Sequence, residues 1–346
     1  MTSLLYSEIT EQPAVLARLL KEERTAVEKI AEAIRQRNPH YVVLAARGSS
    51  DNAAHYSQYL FGTINTLSAA LATPSIFTLY EQAPRLDDAL VIAISQSGQS
   101  PDIISVIAEG RRQGALTVAL TNAPDSPLAQ TAEHTIYLHA GAENAVAATK
   151  TYSTSLMALA MLSSALAQDE TRFETLARVP EWIEQVLRNR DWTNSSAERY
   201  TYVDYCVVAS RGYNYSTAYE IALKLKELTY IVAEPYSSAD FQHGPLALVE
   251  HGFPVFAIIP EGKLAGELIT FFNQLKERGA DLIVVSANPE ALALAQTPLP
   301  IPSGIPEWAT PLVMVVQGQL FALGLTLAKG FDPDQPRGIR KVTLTK

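Results

Sequence analysis

The sequence predicts an α/β protein built from two tandem copies of one domain, each with a parallel sheet flanked by helices. First, short β-branched runs alternate with longer amphipathic segments, which is typical of strands joined by helices. Second, the runs are almost continuously apolar, which indicates strands buried on both faces. Third, segment 41–48 (YVVLAARG) returns 164 residues later as segment 205–212 (YCVVASRG), and an offset that persists along the chain indicates a duplication.

Composition narrows the functional classes. The chain has 346 residues and a formal net charge of −9, without a dense basic run, so we expect no nucleic-acid partner. Its single cysteine, Cys206, excludes an intrachain disulfide and a cysteine-based metal cluster. The charged N-terminus is not a secretory signal, and apolar stretches such as 155–167 are too short for a bilayer. We therefore expect a cytoplasmic location and no membrane partner.

The elements follow in order along the chain. Residues 1–37 form an expected N-terminal helical segment, and residues 38–167 form the first domain. Residues 168–197 form an expected linker helix, residues 198–333 the second domain, and residues 334–346 a tail whose prolines could direct it back onto the body. In the first domain the predicted strands are the runs 41–46, 74–79, 89–95, 116–121 and 134–139.

A serine-rich turn ends the third of these strands and opens a helix. Segment 95–100 (SQSGQS) supplies three hydroxyls, an amide and the free N–H groups of a helical turn, which together can hold a phosphate. Serine is also a common helix cap. The equivalent segment of the second copy keeps Gly262 but none of the hydroxyls. Because the turn does not need serines, we predict a ligand site that only the first copy retains.

The turn after the first strand should lie beside this loop. Ser49 and Ser50 could bond sugar hydroxyls or phosphate. Arg47 stays ambiguous, because Arg211 holds the same place in the second copy: a structural ion pair and a substrate contact are both open.

Chemistry is expected in the second copy. Glu220, Lys224 and Glu227 share one face of a predicted helix that begins at the ligand-binding edge. A solvated ion-paired face is the ordinary interpretation, and a proton-shuttling carboxylate beside a lysine is the functional one. His243 lies in a Gly/Pro loop, a setting that suits acid–base work better than core packing. No spacing suggests a metal site.

These residues and motifs resemble the sugar isomerase (SIS) domain family, in its group with two SIS domains per chain. The motifs that carry the resemblance are segments 95–98 (SQSG), 145–150 (AVAATK), 220–227, 234–246 and 334–341. The resemblance implies two flavodoxin-like sheets and an enzyme without a cofactor or metal, acting on a sugar-phosphate substrate. It also implies a homodimer with a shared active site.

The resemblance further implies a role for each matching position. Ser95, Gln96, Ser97 and Ser100 would hold the phosphate, with Ser49, Ser50, Glu220 and Lys224 lining the site. Glu227 would move a proton between carbons 1 and 2. His243, supplied by the neighbouring subunit, would open the sugar ring. Lys341 would form an imine with the open-chain ketose, and an imine makes the adjacent C–H acidic enough for a carboxylate base.

Departures from the pattern shape the expected activity. The chain opens Met1-Thr2-Ser3 without a cysteine to attack glutamine, so glutamine-dependent synthesis is not expected. Ala148 replaces a serine that helps to bind sugar in the family. The leading expectation is conversion of glucosamine 6-phosphate to fructose 6-phosphate and ammonia. A deglycase for fructosamine 6-phosphates and a non-catalytic sugar-phosphate regulator stay open, although binding alone would not need Glu227, His243 and Lys341 together.

Overall fold

The computed structural model describes residues 3–341, and its elements follow the predicted duplication. The N-terminal segment and the first copy contain α1 (Leu4–Thr10), α2 (Gln12–Arg37), β1 (Tyr41–Ala45), α3 (Ser49–Ile64), β2 (Ser68–Leu71), α4 (Pro74–Thr78), β3 (Ala89–Ile94), α5 (Pro101–Arg112), β4 (Leu116–Thr121), α6 (Pro127–Thr131), β5 (His134–Tyr137) and α7 (Lys150–Ala167).

The linker and the second copy repeat this order. They contain α8 (Glu170–Arg188), α9 (Arg190–Ala197), β6 (Tyr205–Ser210), α10 (Tyr215–Thr229), β7 (Val232–Ser237), α11 (Ser238–Phe241), β8 (Pro254–Ile259), α12 (Ala265–Glu277), β9 (Asp281–Ser286), α13 (Pro289–Leu292), β10 (Thr297–Pro300) and α14 (Thr310–Ala328).

Each copy has its own parallel sheet. The strand order is β2-β1-β3-β4-β5 in the first and β7-β6-β8-β9-β10 in the second, with neighbouring strands paired in parallel. This is the flavodoxin-like order, in which the strand sequence reverses between the first and third strands and ligands bind at the carboxyl edge there. The predicted α/β fold class is confirmed.

The chain forms two compact units. One comprises residues 14–143 and 150–178 with residues 340 and 341, and contains the first sheet. The other comprises residues 3–13, 144–149 and 179–339, and contains the second sheet. We call them the first-copy unit and the second-copy unit. Residues 1 and 2 of the predicted helical segment and residues 342–346 of the predicted tail lie outside the described residues.

The buried strands explain the apolar runs. Every residue of β3, β4, β8 and β9 is buried. In the first copy, Val91 and Ala93 of β3 pack with Ile103 and Ile107 of α5 in one apolar cluster. In the second, Val255 and Ala257 of β8 pack with Phe272 of α12. Strands covered in this way need no polar alternation, so the pattern in the sequence was reliable for them.

One predicted strand is wrong. Residues 74–78 form the helix α4, and the strand at this place is β2, six residues earlier. Pro74 occupies the first turn of α4, where its restricted φ and missing N–H suit a helix start. β2 is a partly exposed edge strand of four residues (SAAL), and it lacks the β-branched residues by which the other strands were recognised.

The last helix contains an apolar stretch that the sequence analysis overlooked. Among residues 3–341, one segment, 307–328, is long and apolar enough to cross a membrane by length and composition. Within the second-copy unit 89% of its most apolar window is buried. A helix that is apolar on all sides and covered in this way is typical of a protein core.

Candidate functional site

The serine loop of the first copy joins β3 to α5. Ser95 Oγ accepts a hydrogen bond from the Gly98 N–H at 3.1 Å, and Ser97 Oγ accepts one from the Gln99 N–H at 3.4 Å. Ser100 precedes α5 in an extended conformation without a side-chain capping bond. The loop therefore gathers hydroxyls and N–H groups at the positive end of a 12-residue helix.

Glycine is required at the centre of this loop. Gly98 has φ of +61°, and a Cβ on it would lie 2.1 Å from Ser126 Oγ. The segment after β4 and the start of α6 are hydrogen-bonded to the loop. The Gln96 carbonyl accepts the Asn122 N–H at 3.1 Å, and the Gly98 carbonyl accepts the Leu128 N–H at 3.2 Å. These bonds hold the backbone of the loop in a fixed form.

Arg47 makes an ion pair, which supports the structural interpretation, and its half-exposed side chain leaves the substrate contact a prediction. Its Nε lies 2.9 Å from Oδ2 of Asp102, a fully buried carboxylate in the first turn of α5. In the second copy Arg211 pairs at 3.1 Å with Glu267, in the first turn of α12. The structural role is thus common to both copies, and it ties the β1 exit to the helix that follows the serine loop.

Ser49 and Ser50 begin α3, directly after β1. Both are half-buried. Because β1 and β3 are neighbouring strands, these two serines and the serine loop share the carboxyl edge of the first sheet at the point where the strand order reverses.

Two titratable groups that the sequence analysis missed follow these serines. Burial raises the pKa of Asp51 and lowers the pKa of His55, and both shifts favour the uncharged forms. Their four-residue spacing on α3 is the signal that could have revealed them.

Lys341 meets a carboxylate that the sequence analysis also missed. Its Nζ lies 2.5 Å from Oε2 of Glu143, which follows β5. The same carboxylate accepts the N–H of Thr151 at 3.0 Å and its hydroxyl proton at 2.7 Å. Glu143 has a fully buried side chain, so its position is closely defined. The first-copy unit therefore holds both the serine loop and the amine that the resemblance assigns to imine formation.

Two contacts hold residues 334–337 of the tail within the second-copy unit. The Asp334 carboxylate accepts the N–H groups of Leu4 and Leu5 at 2.8 and 2.9 Å, where α1 begins. The Arg337 N–H donates to the Tyr230 hydroxyl at 2.9 Å, and its guanidinium lies 3.9 Å from the centre of that ring.

The loop motif at residues 145–150 has an anchor as well. The carboxylate of Glu8, on α1, accepts the N–H groups of Asn144 and Ala145. This buried glutamate lies more than 130 residues from its partners in sequence, so no local pattern could identify it.

The acidic face of α10 is a buried ion-paired row. Glu220 is 0% exposed and Lys224 is 1% exposed, so the solvated-face interpretation is wrong. Lys224 Nζ lies 3.4 Å from Glu220 and 2.6 Å from Oε2 of Glu227. The Glu227 side chain keeps 23% exposure. A partly exposed carboxylate at the end of such a row is positioned to accept and return a proton.

His243 is exposed and follows α11 in the second-copy unit. Its backbone N–H donates to the Asp240 carbonyl at 3.0 Å. Gly244 has φ of +132°, a conformation that glycine alone adopts readily. The backbone conformation directly after His243 therefore requires glycine.

Each unit thus gathers one part of the predicted site. The first-copy unit holds the serine loop, Ser49, Ser50 and Lys341, and the second-copy unit holds the α10 row and His243. Burial raises the pKa of the Cys206 thiol to about 12, which excludes it as a ready nucleophile. Among residues 3–341, no three His, Cys, Asp or Glu side chains cluster in a way that could hold a metal ion.

Comparison with known proteins agrees with the duplication. The SIS domain matches this chain twice, at residues 36–165 and 205–328. Glutamine–fructose-6-phosphate aminotransferase [isomerizing] of Thermococcus kodakarensis is 35% identical over 347 residues, which cover 97% of this chain and 57% of that protein. A protein of the same name from Thermus thermophilus is 34% identical over 353 residues, covering 97% and 58%. The chain spans little more than half the length of these curated relatives.

Solved structures extend the similarity. A candidate phosphosugar isomerase from Silicibacter pomeroyi has a TM-score of 0.88 and 34% identity, covering 96% of this chain and 100% of that one. The C-terminal domain of glucosamine-fructose-6-phosphate aminotransferase from Francisella tularensis has a TM-score of 0.87 and 25% identity, covering 97% and 99%. A glucosamine-6-phosphate deaminase from Thermotoga maritima shares the fold, with a TM-score of 0.79 at 21% identity, covering 99% and 100%. The chain belongs to the SIS domain family and is homologous to the isomerase domain of glutamine–fructose-6-phosphate aminotransferase.

Proposed function

We propose that this protein is an amino-sugar-phosphate isomerase and deaminase that converts glucosamine 6-phosphate and water to fructose 6-phosphate and ammonia. The observation that carries the proposal is the pair of Lys341 and Glu143 in the same unit as the serine loop. A phosphate-binding regulator needs the loop alone, whereas an amine held by a buried carboxylate supplies reactive chemistry. The relatives named for phosphosugar and aminosugar chemistry support the same class.

The proposed reaction begins with binding and ring opening. The serine loop and the N-terminus of α5 hold the phosphate through hydrogen bonds to its oxygens, with Ser49 and Ser50 beside it. His243 then transfers a proton between the ring oxygen and the carbon 1 hydroxyl, which opens the ring to the aldehyde.

Proton transfer and ammonia release follow. Glu227 removes the proton from carbon 2 and returns one to carbon 1. The aldehyde oxygen gains a proton and the carbon 2 nitrogen loses one, so the aldehyde becomes a hydroxyl and the amine becomes an imine. The Lys341 amine adds to this imine and ammonia leaves, so the sugar is held as a lysine imine. Water then hydrolyses the lysine imine to fructose 6-phosphate and regenerates the free amine. Glu143 acts through Lys341, because it accepts the ammonium proton that must leave before the amine can add.

The proposal includes an assembly and a location. We propose a homodimer in which His243 of one subunit completes the active site at the serine loop of the other. The reason is that His243 and the serine loop lie in different copies of the repeat. Two-fold dimers are the commonest way to share a site reciprocally. A cytoplasmic location, without nucleic-acid or membrane partners, suits the reaction of a small phosphorylated sugar with water.

Ammonia release tests this function. The full chain is incubated with glucosamine, galactosamine and fructosamine 6-phosphates, and ammonia and the sugar product are quantified. We expect equal amounts of ammonia and fructose 6-phosphate from glucosamine 6-phosphate. Amine release from fructosamine 6-phosphates alone would establish the deglycase instead. The deglycase stays open because Ala148 stands where the family has a sugar-binding serine in the 145–150 motif. Tight binding without turnover of any substrate would establish the regulator.

A further inference from the structure

In the second copy, the loop equivalent to the serine loop donates a backbone hydrogen bond to a glutamate carboxylate of the same chain. The loop between β8 and α12 contains Lys263, whose N–H donates to Oε2 of Glu307 at 2.7 Å. The equivalent residue of the first copy is Gln99, 164 residues earlier, whose N–H donates to Ser97 Oγ at 3.4 Å. The same backbone N–H therefore meets a hydroxyl in one copy and an anion in the other.

Gly262 makes room for the Glu307 carboxylate, and Gly212 lies close to its other oxygen. A Cβ on Gly262, which has φ of +133°, would lie 2.3 Å from Glu307 Oε2. A Cβ on Gly212, at the β6 exit, would lie 3.8 Å from Glu307 Oε1. The carboxylate thus lies between the exits of β6 and β8, which are neighbouring strands. This is the point of the second sheet where the strand order reverses and where ligands of such sheets bind.

A second carboxylate holds the two loops together. Glu261 Oε2 accepts the N–H of Gly304, three residues before Glu307, at 3.0 Å. The loop after β10 is therefore fastened to the loop after β8 at two points. Glu307 also has a counterpart in the first copy: Glu143 follows β5 and the left-handed Gly141, as Glu307 follows β10 and the left-handed Gly304. Glu143 is paired with Lys341 and Thr151.

We propose that Glu307 is an internal anion ligand: its carboxylate occupies, in the second copy, the place at which the first copy holds the sugar phosphate. Its charge and volume exclude phosphate from the second sheet, so each chain binds one sugar phosphate. The assignment of phosphate to the first copy rests on the proposed function. The class of ligand that the second place would accept without Glu307 is a small oxyanion such as acetate or inorganic phosphate.

Anion rescue of Glu307→Ala tests this inference in the full chain. Thermal unfolding is followed against increasing sodium acetate and sodium phosphate, with sodium chloride at equal ionic strength. Glu290→Ala, at an exposed glutamate of α13, is the matched control. We expect Glu307→Ala to lower Tm, and acetate and phosphate to raise its Tm at least about twofold more than they raise that of wild type, since an anion that binds only the folded state stabilises it. Calorimetric titration with inorganic phosphate should show one more site per chain than in wild type.

Every outcome decides the inference. Equal anion dependence in wild type and Glu307→Ala, with an unchanged number of phosphate sites, overturns it. If Glu307→Ala does not fold in chloride, recovery of folded protein in acetate or phosphate supports the inference, and no recovery overturns it. Glu307→Gln keeps the side-chain volume without the charge, so it should fold and show no acetate rescue. The readout is a difference from wild type without turnover, so failure of the proposed reaction would leave it intact.

Discussion

The two copies of the repeat differ most at the exits of their first and third strands. In the first copy these exits carry hydroxyls, at Ser49, Ser50 and the serine loop. In the second, the β8 exit has no hydroxyl and meets the carboxylate of Glu307. A glycine with positive φ after the third strand and an arginine ion pair after the first strand are retained in both. If the proposals for the serine loop and for Glu307 hold, both copies offer a place for an anion at this edge, and the side chains determine which anion occupies it.

The helices that follow the first strand of each copy, α3 and α10, differ in their charged residues. α10 buries a lysine between two glutamates, whereas α3 contains no lysine or arginine at all. A buried row of charges is costly unless each member is paired, so it is a poor choice for stability alone. In the proposed function the second copy supplies the α10 carboxylate and His243 for proton transfer, and the serine loop of the first copy holds the phosphate.

The largest effect is expected at Glu227. Glu227→Gln keeps the shape of the side chain but removes the base, and loss of a general base typically lowers the rate by about 10²–10⁴-fold. Exchange of solvent deuterium into the sugar should fall to the same extent, while calorimetric affinity for fructose 6-phosphate is retained. Glu250→Gln, at an exposed glutamate of the same unit, is the control. Normal exchange in Glu227→Gln would assign the proton transfer to another residue.

A smaller effect is expected at Glu143, the partner of the proposed imine-forming lysine. Glu143→Gln removes one charged hydrogen bond, worth about 1.5–3 kcal/mol, so imine formation should fall roughly ten- to a hundredfold. The measurement is borohydride trapping of the sugar on Lys341 against pH, followed by mass spectrometry. A structural role alone would lower Tm without shifting the pH profile of trapping, and that result would contradict the positioning role.

Ser97→Ala addresses the first copy alone. It removes one hydroxyl from a charge-assisted network, worth about 1.5–3 kcal/mol, so fructose 6-phosphate should bind roughly ten- to a hundredfold more weakly. Ser303→Ala, at an exposed serine of the loop after β10, is the second-copy control and should change nothing. Equal affinity of Ser97→Ala and wild type for fructose 6-phosphate in calorimetry would show that the phosphate is not bound by this loop.

The smallest expected effect is the activity regained when subunits of two variants are mixed. This experiment tests whether the serine loop and His243 act in one shared site. Two inactive proteins, the double variant Ser95→Ala/Ser97→Ala and the single variant His243→Ala, are mixed under conditions that let subunits exchange. A shared site regenerates one intact pocket per heterodimer. With half of the subunits in heterodimers, activity should return to about a quarter of wild type by mass action. No return of activity, with exchange confirmed by labelling, would show that each chain builds its own site.

The duplication, most strands, the serine loop and the helix that carries Glu227 could all be predicted from the amino-acid sequence. These features depend on short-range causes: apolar runs mark doubly covered strands, and a glycine after a strand marks a turn. The central strands were predicted correctly because their burial is complete. The edge strand β2 was missed, and α4 was taken for a strand, because an exposed edge places little demand on its residues.

Which charges are buried, and which partners they contact, became known from the three-dimensional fold. Glu143 and Lys341 lie 198 residues apart in sequence, and Lys263 and Glu307 lie 44 apart. Helical spacing placed Glu220 and Lys224 on one face, but the packing of α10 against α14 and its own sheet is what removes that face from water. Burial and long-range pairing depend on segments brought together by the whole fold, and this is the physical reason why no local pattern contains them.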